Sequence, residues 1–210
     1  AKSPYNYIAL QSITGPPEVW YVSPLANQAA YGEMMDAEQK DPALAAELER
    51  LMKGDGQFLG EQSALQAVAM PELSFGAFPP IGKMRYWEIT TFRIRPGHND
   101  AWVAATKAYK AATARSAPNA SWRTYDVVAG APGGTYLIFS SIGSFAEFDK
   151  MMAEGEATWK GMTAEEGATL GKFMKESVIN VSTNRYRLVP GQSYVNAETK
   201  AMDPAFWAKK

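Results

Sequence analysis

The sequence predicts an α+β fold in which two βαββαβ repeats pack sheet to sheet, the first repeat lacking its first strand and helix. One supporting observation is internal similarity between residues 1–38 and residues 114–154, in which Gly15 corresponds to Gly130 and Ser23 to Ser140. A similarity of this length indicates one supersecondary unit used twice. The other observation is the order of strand and helix patterns, which is complete only in the second copy.

Composition limits the classes of function. A chain of 210 residues with 46% hydrophobic residues is long enough and apolar enough to bury a sizeable core. Its net charge of −1 argues against a nucleic-acid partner. The absence of cysteine excludes disulfides and thiolate chemistry, and no apolar run approaches the roughly 18 residues of a membrane span. We therefore expect neither nucleic-acid binding nor membrane insertion.

The second copy contains a full set of elements. Pro96-Gly97 ends its first strand, Asn99 or Asp100 can cap the helix that follows, and the Gly130–Gly134 turn joins a hairpin. In chain order we predict a strand over 84–95, a helix over 102–112, strands over 122–129 and 135–140, a short helix after Ser144, a helix containing Leu170 and Phe173, and a strand over 178–188. This order, βαββαβ, is the ferredoxin-like arrangement.

The first copy begins at the second strand of that order. Asp41-Pro42 is a good helix start, with Asp as the cap and Pro at the first helical position. The predicted elements are a hairpin of 5–14 and 19–23, a short helix over 27–37, a longer helix from residue 42, and a strand over 63–75 with Pro71 at an edge or bulge. We expect the natural protein to carry, before Ala1, a strand and helix equivalent to residues 84–113.

The repeat motifs resemble those of a known superfamily. They are the strand end Phe92–Gly97, the hairpin Val128–Tyr136 and its counterpart Ser12–Trp20. They are similar to those of the dimeric α+β barrel superfamily, in a tandem form that resembles NIPSNAP-like bacterial proteins. The resemblance implies an eight-stranded barrel and an exported (periplasmic) rather than cytoplasmic protein. It implies a range of activities, among them cofactor-free monooxygenases, haem-degrading monooxygenases, chlorite dismutase-like haem proteins, lactone isomerases and members without known activity.

The domain prediction follows from the repeat. Residues 1–80 form the incomplete repeat, residues 84–190 the complete one, and residues 191–210 a C-terminal tail that belongs to neither. Asp203-Pro204 predicts a terminal helical turn that presents Phe206 and Trp207 together. We expect this turn to dock on the helices or seam of the other repeat or on a partner chain. The chain is then a monomeric pseudo-dimer or a homodimer.

Strand alternation selects candidate residues for the barrel interior. The odd positions of the 84–95 strand, including Trp87, Thr91 and Arg93, are expected to face inward. The register of the 122–129 strand stays open, so Trp122 and Tyr125 represent its two possible inward faces. The full candidate set is Trp87, Thr91, Arg93, Trp122, Tyr125, Asn180, Ser182 and Asn184. Such a set describes a pocket for a planar, oxygen-rich molecule. The alternative is a packed barrel in which Arg93 reaches the rim and the Asn and Ser side chains bond one another.

Metal and cofactor sites are not expected. His98, the single histidine, lies in a turn and is interpreted as a solvated turn residue rather than a haem ligand. Glu88 lies in an apolar strand, where a buried carboxylate could act as a base, although a partner among Arg85, Arg123 and Arg187 is the favoured explanation. The sequence thus predicts a small-molecule-binding barrel without a cofactor. The alternatives are a cofactor-independent monooxygenase or isomerase acting on an aromatic substrate, and a purely structural or oligomerising barrel. Whether the protein is an enzyme stays open at this stage.

Overall fold

The fold is built on one antiparallel sheet. The structure, a computed structural model, describes residues 6–208, apart from the side chains of residues 38 and 39. Within this range the strands are β1 (Ile8–Ser12), β2 (Val19–Val22), β3 (Gln66–Ala69), β4 (Tyr86–Ile94), β5 (Arg123–Ala129), β6 (Thr135–Ile142) and β7 (Val178–Leu188). They form a seven-stranded sheet in the order β2-β1-β7-β4-β6-β5-β3. Every neighbouring pair is antiparallel.

Some of the helices begin at capping residues that the sequence supplies. Asp41 accepts hydrogen bonds from two backbone N–H groups at the start of the second helix, with Pro42 at its first position. Thr163 and Glu166 form a capping box at the start of the fifth. The helices are α1 (Gln28–Lys40), α2 (Pro42–Asp55), α3 (Asn99–Ser116), α4 (Glu147–Lys160), α5 (Ala164–Glu176), α6 (Ala197–Ala201) and α7 (Pro204–Trp207).

Residues 86–188 contain the predicted βαββαβ order, from β4 to β7, with the second helix divided into α4 and α5. The predicted 63–75 strand is wrong in extent, because only Gln66–Ala69 is a strand and Pro71 starts a 3₁₀ turn. The predicted cap of α3 is also wrong. His98 occupies that position and its side chain makes no capping hydrogen bond.

The sheet is curled into a half-barrel. Trp20 on β2 and Phe139 on β6 are separated in the sheet order by β1, β7 and β4, yet their ring centroids lie only 6.4 Å apart. Four strand spacings in a flat sheet span about 19 Å. The curvature therefore brings the two sides of the sheet together over its concave face.

Two apolar clusters lie on opposite faces of this sheet. The inner cluster, on the concave face, consists of Leu10, Trp87, Ile89, Val127, Leu137, Tyr186, Leu188, Val195 and Trp207. The outer cluster, beneath α3 and α5, consists of Leu73, Ile94, Trp102, Ala105, Tyr136, Leu170 and Phe173. Helix α2, by contrast, buries none of its residues. Helix packing therefore stabilises the second half of the chain far more than the first.

The C-terminal tail closes one end of the inner face. The predicted helical turn is α7, with Asp203 as its cap. Trp207 is only 8% exposed, belongs to the inner cluster, and donates its indole N–H to the carbonyl of Gly82 at 3.0 Å. Arg85 forms an ion pair with Asp203 and stacks over the Phe206 ring. The turn thus docks next to the start of β4, within the same chain.

Candidate functional site

The inner face is organised in register rows across β7, β4 and β6. Trp87 and Ile89 belong to the inner cluster, so alternation along β4 places Thr91 and Arg93 on the same face. Each of these residues has one partner on β7 and one on β6. The rows are Tyr186–Trp87–Ser141, Asn184–Ile89–Phe139, Ser182–Thr91–Leu137 and Asn180–Arg93–Thr135.

The structure decides the open register of β5. Tyr125 packs against the inner cluster, whereas Trp122 lies on the opposite face. The Trp122 ring stacks on Phe75 and approaches Tyr109 of α3, and its N–H donates to the carbonyl of Leu73 at 2.9 Å. Trp122 is therefore wrong as an inner-face candidate, because its indole is committed to the helix-covered layer.

The two sides of the inner face differ in chemistry. The β7 side presents polar groups at successive inward positions, namely Asn180, Ser182, Asn184 and Tyr186. The β5–β6 side presents apolar and aromatic groups, and the rings of Tyr125 and Phe139 meet edge to face with centroids 5.4 Å apart. A planar ring lying on this face would contact aromatic surface on one side and hydrogen-bonding groups on the other.

Several inner-face polar side chains have no partner. Within residues 6–208, the side chains of Thr91, Arg93, Tyr125, Asn180 and Ser182 make no hydrogen bond or ion pair with other residues. On the outer face of the same strand pair, the hydroxyls of Thr90 and Thr183 bond each other at 2.9 Å. The Asn and Ser side chains therefore do not bond one another as the packed-barrel alternative predicted, whereas Arg93 is exposed, which agrees with the other part of that alternative.

A hydrogen-bonded pair lies deeper on the inner face. The Tyr186 hydroxyl donates to the Glu18 carboxylate at 2.6 Å, and only 1% of Tyr186 is exposed. Burial, reinforced by the hydrogen bond and charge of Glu18, raises the pKa of Tyr186 far above its usual range, although a hydrogen bond from Asn184 acts in the opposite direction. The phenol therefore remains protonated and holds the carboxylate on the inner face.

The β1–β2 turn fixes Asn184. Gly15 has a positive φ of 79°, and a Cβ on it would come within 2.3 Å of the Asn184 amide oxygen. Only glycine suits both the backbone conformation and this close approach. Among the sequence candidates on β7, Asn184 is thus already engaged by the protein, while Ser182 and Asn180 are not.

Sequence reasoning missed three aromatic residues and one carboxylate. Trp20 packs against the inner cluster and lies 6.0 Å from the Tyr186 ring. Tyr186 could have been found by continuing the inward alternation of Asn180, Ser182 and Asn184 by one step. Glu18 and Phe139 could not have been found from the sequence, because their place on the inner face depends on the curl of the sheet and on the pairing of β1 with β7.

The other sequence candidates are structural. The imidazole Nδ1 of His98 lies 2.8 Å from the hydroxyl of buried Ser177. Glu88 pairs with Arg185 at 3.0 Å, so the predicted partners of Glu88 are wrong. Within the described range, no group of three or more His, Asp or Glu side chains could hold a metal ion. No helix in that range is long and apolar enough to cross a membrane.

Comparison with known proteins identifies the fold. No protein-family model matches the chain, and no curated protein matches it by sequence. The fold is similar to a solved "anthrone oxidase-like protein", at 13% identity and a TM-score of 0.50, covering 90% of this chain and 79% of that one. A "putative monooxygenase" from Lactobacillus acidophilus NCFM gives 8% identity and a TM-score of 0.51, covering 91% and 82%. Another "putative monooxygenase", from Fusobacterium nucleatum, is 7% identical with a TM-score of 0.52, and the match covers 90% of this chain and 77% of that one.

These likenesses show a shared fold and leave the chemistry open, because identity is far below the level at which activity transfers. They agree with the predicted α+β barrel architecture at the level of a curled antiparallel sheet with helices. None of the three neighbours is described as NIPSNAP-like. That finer resemblance therefore stays a prediction, as does export to the periplasm.

Proposed function

We propose that the inner face of the half-barrel binds a planar aromatic molecule that carries oxygen substituents. The observation that carries the proposal is the group of unpartnered polar side chains beside Tyr125 and Phe139. Arg93, Asn180 and Ser182 are exposed, and Thr91 is half-buried. Water can therefore complete their hydrogen bonds, and a bound molecule could displace that water. Aromatic side chains next to them supply contact area for a flat ligand.

A matched pair of threonines tests this proposal. Thr91→Val removes an unpartnered inner-face hydroxyl, whereas Thr90→Val removes an outer-face hydroxyl bonded to Thr183. Binding of 1,8-dihydroxyanthraquinone is measured by isothermal titration calorimetry. We expect Thr91→Val to weaken binding about five- to tenfold, the cost of one hydrogen bond, and Thr90→Val to leave it unchanged. Equal binding by both variants, or none by the unsubstituted protein, contradicts the proposal.

A second candidate function is cofactor-independent oxygenation of an aromatic substrate. The observation that favours it is the Glu18 carboxylate, held on the inner face by Tyr186 close to Trp20. A carboxylate next to a bound aromatic ring can accept a proton from an activated C–H or O–H group. Two solved neighbours carry the names "anthrone oxidase-like protein" and "putative monooxygenase", which favours the same function by analogy of fold only.

Turnover separates this enzyme from a binding protein. Anthrone would be incubated with the protein in air, and oxygen uptake followed with an electrode. The enzyme hypothesis expects uptake above the uncatalysed rate, reduced at least tenfold by Glu18→Gln and unchanged by Glu147→Gln on the solvent side of α4. A ligand-binding protein without activity gives the uncatalysed rate in all three cases. A structural barrel also shows no binding in the titration above.

We also propose that the first half of the chain is an incomplete copy of the second. The support is reciprocal pairing: β7 of the second half pairs with β1, and β3 of the first half pairs with β5. In the repeat, β1 corresponds to β5 and β3 corresponds to β7. Each half therefore pairs its last strand with the second strand of the other half, as two related units would. Residues 84–190 produced alone should then self-associate through β5 and β7, and a monomer with native circular dichroism would contradict the relationship.

A further inference from the structure

Arg93 differs from most arginines of this chain in having no partner. Within residues 6–208 its guanidinium makes no hydrogen bond, ion pair or ring contact, and Arg95 shares this property. The partnered arginines bind carboxylates, a carboxamide or backbone carbonyls; they are Arg50, Arg85, Arg115, Arg123, Arg185 and Arg187. Arg93 is exposed on the concave face, so its donors are open to a ligand. Its neighbours Asn180 and Ser182 are also exposed and unpartnered among the described residues.

Arg93 lies at the end of the inner face opposite the C-terminal tail. Arg93 lies six positions after Trp87 along β4, which corresponds to about 20 Å. Its register partners are Asn180 on β7 and Thr135 on β6, and the next row inward contains Ser182 and Thr91. The Glu18 carboxylate belongs to the region of Tyr186, several rows away. The local environment of Arg93 is thus polar and uncompensated by a carboxylate on the inner face.

The groups next to this guanidinium define the ligand that it would accept. Asn180 can donate an amide N–H, and Ser182 and Thr91 can donate hydroxyls. Together with Arg93, four donor side chains thus occupy neighbouring register positions at this end. Beyond them, the half-buried rings of Tyr125 and Phe139 offer an aromatic surface. A planar guanidinium binds a carboxylate through two parallel hydrogen bonds, a geometry that neither a hydroxyl nor a carbonyl can match.

We propose that Arg93 binds the carboxylate of an aromatic acid, whose ring lies on the face formed by Tyr125 and Phe139. This inference rests on the proposed function and adds the chemical class of the preferred ligand: a planar aromatic carboxylic acid binds more tightly than an uncharged ring system of the same shape. Asn180 supports the same carboxylate from β7. Arg93 is in this sense the specificity-determining residue of the site.

The test compares two probes of the same shape, anthraquinone-2-carboxylate and anthraquinone-2-carboxamide. Isothermal titration calorimetry gives Kd for each probe with the intact chain. We expect the acid to bind at least about tenfold more tightly, as a charge-assisted bidentate contact implies. Arg93→Gln should reduce this ratio to about one by weakening the acid alone. Arg93→Lys, which keeps the charge and loses the fork, should give an intermediate ratio.

Arg95→Gln is the matched control. Arg95 is the other unpartnered arginine among the described residues and lies two positions after Arg93, so this variant removes the same charge without touching Arg93. It should leave the ratio unchanged; an equal loss in Arg95→Gln would overturn the inference by showing a general charge effect. Equal affinity of the two probes for the unsubstituted protein overturns it as well, while leaving the proposed function standing. If neither probe binds, both fail. Circular dichroism confirms folding of each variant, and the Lys variant decides the matter if Arg93→Gln does not fold.

Discussion

The two ends of the inner face use polar atoms in opposite ways. At the closed end, Trp207 donates to Gly82 and Tyr186 donates to Glu18, so that buried polar groups are paired. At the open end, Arg93, Asn180 and Ser182 are exposed and have no partner among the described residues. The same strands β4 and β7 run through both ends. The difference follows from burial: the closed end must satisfy its polar groups within the protein, whereas the donors of the open end face solvent and are accessible to the ligand that we propose.

The largest effect on stability is expected at the closed end. Trp207→Ala removes a large side chain from the inner cluster and leaves the Gly82 carbonyl without its donor. We expect a loss of about 3–5 kcal/mol in the free energy of unfolding, measured by urea denaturation. Deleting residues 203–210 should lower the thermal midpoint in the same way, since it removes all of α7.

Trp159→Ala provides the control for this change. Trp159 is 55% exposed on α4, so the same truncation there should cost less than about 1 kcal/mol. Similar losses for the two tryptophans would mean that the tail contributes no special stability and that the contrast between the two ends is mistaken.

An intermediate effect is expected at the Tyr186–Glu18 pair. Tyr186→Phe keeps the ring and leaves a carboxylate without its donor, which should cost about 1.5–3 kcal/mol in the free energy of unfolding. Tyr21→Phe, at a position that is 62% exposed, should cost almost nothing. A Tyr186→Phe protein as stable as the unsubstituted one would show that the pair is not maintained in solution.

Alkaline pH provides an independent check on the same pair. The pKa of Tyr186 in the folded chain is raised above its ordinary value of 10.0. The folded state therefore keeps its proton where the unfolded chain loses it, so the stabilisation is complete below pH 10 and declines as pH rises further. Urea midpoints between pH 9 and 11 should fall less steeply in Tyr186→Phe than in the unsubstituted protein. Parallel slopes would contradict the assignment.

The smallest effect is expected at the open end. Ser182→Ala removes a hydroxyl without a partner, so the free energy of unfolding should change by less than about 0.5 kcal/mol. Ser193→Ala is the informative counterpart, because the Ser193 hydroxyl accepts from the N–H of Ala9 and donates to the carbonyl of Val189. That variant should cost about 1–2 kcal/mol. A larger loss at Ser182 than at Ser193 would reverse the proposed assignment of the two ends.

Local pattern predicted much of this architecture. The inward positions of β4 followed from alternation alone, and the starts of α2 and α7 followed from Asp-Pro pairs. The sequence pattern did not predict where a strand begins and ends when its pairing with other strands sets those limits. The 63–75 segment has strand-forming residues, but the 3₁₀ turn at Pro71 ends the strand early.

The candidate site shows the same limit. Thr91, Arg93 and Ser182 could be placed on one face because they alternate within single strands. The side chain of Trp122 could not, since alternation within β5 does not say which of its faces the helices cover. Glu18 escaped notice because it follows a turn whose position depends on contacts with Arg185 of β7. Sequence alone therefore predicted the donors of the open end better than the pair at the closed end.

Strand β3 has a consequence for how this protein could change its preference over evolution. Its residues opposite Tyr125 and Val127 are Ala69 and Ala67, so this side of the inner face carries only methyl groups. Replacing either alanine with a bulkier residue would add volume beside Tyr125 without touching any hydrogen-bond donor. In the site that we propose, the size of the accepted ring would then change through Ala67 or Ala69 on this edge strand, and recognition of the acid would change through Arg93, each independently of the other.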